Sequence, residues 1–105
     1  MGSGWLLARG EAVASTQEVR TPWQRHQAAR SARRGELAAV LRAPTVVLGP
    51  LDVISVRKGE ARSVRHAGRR PVCIVRPGTV VVLQAGTADR YGVRAGTEVE
   101  LKWTR

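Results

Sequence analysis

Two apolar, largely β-branched runs, Val72-Cys73-Ile74-Val75 and Thr79-Val80-Val81-Val82-Leu83, constrain this chain more than any other feature. A strand turns successive side chains to opposite faces, so a strand with one wet face alternates apolar and polar residues. Here both alternate sets are apolar: Val72 and Ile74 against Cys73 and Val75, then Val80 and Val82 against Val81 and Leu83. Strands of that kind are covered on both faces. One cover can be the rest of a sandwich or barrel. The other must come from a helix or from a second subunit.

The runs lie in a region from Val53 to Trp103 punctuated by glycine: Val56-Arg57-Lys58-Gly59, Val64-Arg65-His66-Ala67-Gly68, Val75-Arg76-Pro77-Gly78, Leu83-Gln84-Ala85-Gly86 and Val93-Arg94-Ala95-Gly96. Turns at intervals of roughly eight to ten residues between β-rich segments predict an all-β arrangement. Thr45–Leu48 and Leu51–Val56 flank the turn pair Gly49-Pro50, and Ala61–Arg65 reads as a polar edge strand. Pro77-Gly78 suits a corner between sheets. Thr87–Tyr91 reads as a helical turn, and Thr97–Trp103 as a half-buried strand with Val99, Leu101 and Trp103 on one face. The expected fold is mainly β: a small antiparallel β-sandwich or barrel, a meander of short strands over residues 45–103, preceded by one basic N-terminal helix and an extended arm.

The helix begins with a local signature. Thr21 can serve as N-cap, Pro22 suits the first helical position, and Gln24 completes a capping box. Ala28, Ala29 and Ala32 share one face through about Arg33; the apolar residues Leu37, Val40 and Leu41 continue a helical stripe across a weakening Gly35, and Pro44 ends it. The domain plan is residues 1–20 as an arm, 21–43 as a basic helix and 44–105 as a β domain. Met1–Gly4 is expected to be flexible. Trp5, Leu6 and Leu7 form an apolar plug in the arm, expected with Trp23 to contact other subunits.

Composition sets the partners. The formal charge is +10, carried by 16 arginines against two lysines. The basic load falls on the helix and the first half of the β region. Such an excess favours nucleic acid, an anionic membrane surface or an acidic protein, or else it is a solvated basic surface. Arg25, Arg30, Arg33, Arg34, Arg65, Arg69, Arg70 and Arg76 are the candidate nucleic-acid or polyanion contacts, acting on phosphates with little sequence reading. Arg57, Arg65, Arg76 and Arg94 precede the glycine turns, and strand spacing could gather them along one rim. Aromatic residues make up 4% of the chain and phenylalanine is absent, so the core must be aliphatic, with Trp5, Trp23, Trp103 and Tyr91 as its few large anchors. Trp23 reads as a core anchor rather than a base-stacking platform.

Catalytic groups are scarce. His26 lies on the basic helix and His66 in a turn, and Cys73 reads as a buried structural cysteine, although a His66–Cys73 pair across strands is conceivable. Asp52, Glu60, Asp89, Glu98 and Glu100 show no metal-ligand spacing. No phosphate loop or nucleophile elbow occurs. The expectation is a protein that is not an enzyme, with no cofactor and no metal. A single cysteine excludes an intrachain disulfide. No apolar stretch approaches a membrane span or a secretory leader, so a soluble, cytoplasmic protein is expected, with incorporation into a virion as a further destination.

Tyr91-Gly92-Val93-Arg94-Ala95-Gly96-Thr97-Glu98-Val99-Glu100-Leu101, preceded by Val81-Val82-Leu83, resembles the tail of the AbrB/MazE swapped-hairpin family of DNA-binding dimers. Gly68-Arg69-Arg70-Pro71-Val72-Cys73-Ile74-Val75 is similar to a strand of MazF-type toxins. The first resemblance implies a small DNA-binding transcriptional regulator or antitoxin. The architecture alone points instead to a structural subunit of a larger assembly, a phage or virus head, connector or tail protein whose basic side faces nucleic acid. Its partners would be other protein subunits, in a homo- or hetero-oligomer.

Overall fold

The computed structural model describes residues 3–104. Strands dominate: β1 (Ser3–Ala8), β2 (Glu11–Glu18), β3 (Ala38–Val47), β4 (Leu51–Arg57), β5 (Glu60–Ala67), β6 (Val72–Gln84) and β7 (Val99–Thr104), with helix α1 (Pro22–Arg33) between β2 and β3 and a one-turn helix α2 (Thr87–Arg90) after β6. They form one curled sheet in the order β5-β4-β6-β3-β2-β1-β7. The ends of that order meet along a short seam. Ala61 N donates to Thr97 O (2.8 Å), Gly96 N to Ala61 O (2.7 Å) and Val99 N to Gly59 O (2.9 Å). The result is a half-barrel with few free edges, which limits edge-to-edge aggregation.

Four expectations change. The segment expected as an arm is a β-hairpin: β1 pairs with β2 and with β7, so Ser3 and Gly4 are already strand. Met1 and Gly2 lie outside the described residues. The hairpin turns at Arg9-Gly10, both at positive φ, the backbone that two-residue hairpin loops require. Secondly, the helix ends at Arg33 rather than running to 43. Gly35 at φ +76° is not a kink but the left-handed stop of the helix: Gly35 N donates to Ala32 O and Glu36 N to Ser31 O, the paired bonds of a Schellman cap. Thirdly, the sheet is mixed. α1 carries the chain over from β2 to a parallel β3, with Thr16 opposite Ala38. The helix is therefore a crossover inside the sheet's topology and does not precede a separate β domain. Fourthly, the tryptophans are not core anchors: Trp5, Trp23 and Trp103 are all substantially exposed.

The start of the helix is as expected. Gln24 N donates to Thr21 Oγ1 and Thr21 N to Gln24 Oε1, both at 3.2 Å, with Ala28 and Ala32 buried beneath. Each capping interaction of this kind contributes roughly 1 kcal/mol.

The sheet has a core on each face, and strand alternation explains which residue goes where. On one face Leu41, Leu51, Val53, Val80 and Val82 pack under Ala28 and Ala32 of α1. On the other, Leu6, Val40, Ile54, Val81, Leu83 and Val99 fill the hollow of the half-barrel. Residues 80–83 are thus buried on both sides. The run 72–75 is not: Val72 is buried and Ile74 half-buried, whereas Cys73 and Val75 face out. The reason is a corner. The β3/β6 ladder loses register between Ala43 and Thr45, opposite Pro77-Gly78, and beyond it Thr45–Val47 pair with Ile74–Val72. This terminal ribbon folds back so that Val47 and Val72 join the core of Leu51 and Val53.

Candidate polyanion groove

The fold-back places the Cys73–Gly78 arm of β6 alongside the exposed ends of β4 and β5. Between them runs an open groove of about 530 Å³, within the size range of ligand clefts. Its floor follows from the antiparallel register: Val53 lies opposite Arg65 and Ser55 opposite Ser63. These side chains belong to the α1 face of the sheet, where the apolar core gives way to polar residues. A register shift follows at once, pairing Val56 with Ala61 and inserting Arg62 as an extra residue. Arg57 comes from the end of β4, Arg76 from the opposite wall, and Thr79 from the corner. Arg65 Nη1 donates to Cys73 O (3.4 Å) and bridges floor to wall.

Four guanidinium groups therefore share one concave surface with three hydroxyls. No acidic residue lines it, and no ion pair among the described residues involves Arg57, Arg62, Arg65 or Arg76. Like charges gathered without counter-charge repel one another and raise the local potential for anions. Guanidinium forks are suited to phosphate oxygens, which they meet through parallel N–H donors.

Of the residues expected to touch a polyanion, Arg65 and Arg76 lie in this groove. Arg69 and Arg70 sit exposed in the turn before β6, outside its lining. Arg25 and Arg33 line a second, mostly apolar groove of about 240 Å³ between α1 and the β3 end, where Arg33 Nη2 donates to Leu48 O. Arg30 is exposed on α1, and Arg34 pairs with Glu36 at 3.8 Å. The turn-flanking set Arg57, Arg65 and Arg76 does converge, without Arg94. Sequence alone gives Arg62, Ser55, Ser63 and Thr79 no special standing as anion contacts. For Arg62 the only signal is the shift in a cross-strand register, which cannot be read from one strand.

The expected subunit contacts divide. Leu6 is wholly buried in the half-barrel and cannot touch another subunit, because strand alternation points it inward opposite Leu101. Leu7 is half-buried, and Trp5 lies exposed on the outer face. Trp23 is 68% exposed and stacks on His26, with ring centroids 6.3 Å apart.

No His66–Cys73 pair forms, since the sheet separates them. Cys73 lies on the ribbon over one face, and His66 on the other, its Nδ1 3.2 Å from Asp52 Oδ1. Cys73 is exposed, not structural. Asp52 is a buried carboxylate that serves the fold: its Oδ2 accepts Gly86 N and Ala88 N, both at 3.0 Å, and fixes the first turn of α2. No cluster of three potential metal ligands occurs among the described residues. Among them, no helix is long and apolar enough to cross a membrane.

No family model matches the chain, and no curated protein matches it. Solved structures do share its fold. A protein from Sinorhizobium meliloti 1021, provisionally described as a transcription regulator, superposes with a TM-score of 0.68 at 19% identity, over 95% of this chain and 92% of that one. A protein of unknown function from Novosphingobium aromaticivorans DSM 12444 superposes at 0.63 and 18% identity, over 93% and 83%. Likeness at this level of identity is one of fold.

Proposed function

We propose that this protein is a non-enzymatic subunit that binds nucleic acid through its phosphates, at the groove between the β4–β5 floor and the folded-back arm of β6. The observation that carries this reading is the convergence of Arg57, Arg62, Arg65 and Arg76 on one concave surface free of acidic side chains. Backbone contacts of this kind hold a polyanion without reading its bases. The reading is compatible with both settings expected from sequence, a component of a virion or other assembly and a DNA-binding regulator. The provisional description of the Sinorhizobium neighbour as a transcription regulator supports the second setting.

The test is a titration of affinity against salt. With about four phosphates neutralised, the logarithm of the binding constant should fall against the logarithm of salt concentration with a slope of about −3 to −4. Replacing Arg57 and Arg76 together by glutamate should weaken binding by more than about tenfold, and should do so far more than the same change at Arg30 and Arg34. Equal losses from the two double variants would show diffuse attraction to a basic surface and remove the groove from the mechanism.

A further inference from the structure

The folded-back ribbon has an outer face that nothing among the described residues covers. Its inner side chains, Val47, Val72 and Ile74, go to the core. Register places Val46 beside Cys73, and two residues further along each strand come Leu48 and Val75. All four point outward: Val46 is 52% exposed, Leu48 61% and Val75 76%, with Cys73 exposed among them. An apolar ridge thus runs along the ribbon. Cys73, Val75 and Arg76 belong to the lining of the arginine groove, so the ridge adjoins it along its β6 side, while Val46 and Leu48 border the groove beside α1.

We infer that this surface takes single-stranded nucleic acid in preference to duplex, with phosphates in the groove and unpaired bases laid against the Val46–Leu48–Val75 ridge. The inference rests on the phosphate-binding reading above and adds the bases to it. Two properties select this occupant. The ridge beside the arginine groove is apolar, and only an unpaired strand presents the faces of its bases; a duplex keeps them stacked inside. A second copy of the chain is a poor occupant, because it would bring its own Arg57, Arg62, Arg65 and Arg76 against this set with no carboxylates to offset them. The groove contains no aromatic residue, so contact with bases is apolar coverage without sequence preference.

Three fluorescent probes of equal length separate the alternatives: an oligothymidylate strand, an abasic strand with the same phosphates, and a duplex. Oligothymidylate should bind at least about fivefold more tightly than the other two. Replacing Val46 and Leu48 together by serine, both outside the lining of the arginine groove, should reduce its affinity to that of the abasic strand and leave the other two probes unchanged. Val75→Ser alone, at the most exposed ridge position, should give a partial loss in a protein whose circular dichroism and thermal midpoint are unaltered. Bound oligothymidylate should also slow the reaction of Cys73 with a maleimide. Equal affinity for all three probes would overturn the inference while leaving phosphate binding intact, and binding to none would remove both. A dimer in sedimentation, with Cys73 protected before any nucleic acid is added, would assign the ridge to a second copy and overturn the inference as well.

Discussion

Asp52 faces the half-barrel side of β4, and its carboxylate does for α2 what a side-chain cap does for an ordinary helix. The residue at the N-cap position of α2 is Gly86, which has no side chain to offer, so the amides of Gly86 and Ala88 turn to a carboxylate from a strand 34 residues upstream. Charge-assisted bonds to backbone amides are stronger than neutral ones, and a buried amide left without an acceptor carries its own penalty. Asp52→Ala should therefore destabilise the protein by about 3 kcal/mol in urea unfolding, and Asp52→Asn, which keeps an acceptor oxygen, by markedly less. A loss below about 0.5 kcal/mol for the alanine variant would show that α2 does not depend on this carboxylate. None of this is legible in sequence. Asp52 reads there as a turn-proximal acid of no special standing, because its partners come from the opposite end of the β region.

The elements differ in how far their own residues announce them. The N-terminus of α1 is local chemistry, since Thr21, Pro22 and Gln24 satisfy one another within four positions, and it is legible for that reason. Its C-terminus is equally local but open to two interpretations. Gly35 inside a continuing apolar pattern looks like a flaw, whereas Gly35 in the left-handed conformation is the stop itself. Leu37–Leu41 fits a helical stripe as readily as a strand buried on both faces, and short apolar runs do not separate these by period. Only the two cores decide it, by drawing Val40 to one side and Leu41 to the other. Gly35→Ala tests the assignment. The new methyl would need φ +76° and would press on the Gln84 side chain, so a loss of about 1 kcal/mol or more in thermal unfolding is expected. If Gly35 were an ordinary helical glycine, the same change would stabilise the protein.

At the scale of the whole molecule, the candidate site exists because of one corner. Of the residues that mark it, Pro77 and Gly78 are visible in sequence as turn chemistry, and the arginines before the turns are visible as well, whereas Pro44 reads there as the end of a helix. That the corner folds the ribbon back across β4 and β5, and so brings Arg76 within the same groove as Arg57 and Arg65, is a property of tertiary packing. The first strand depends on the last in a similar way. β1 pairs along its whole length with β7, Ser3 opposite Thr104, so the ladder between them joins the most distant parts of the described chain. Pairings so remote in sequence are slow to form because loop closure must come before any contact rewards it. A circular permutant, with Thr104 linked to Ser3 through a short peptide and new ends opened at the exposed Arg69-Arg70 turn, converts that ladder into a hairpin. It should refold faster than the natural order by stopped-flow fluorescence, and an unchanged rate would mean that the β1–β7 seam forms only after the barrier. The adjacency of the two ends thus makes this fold a loop in all but its covalent bonds, and where the chain is cut becomes a choice about kinetics more than about structure.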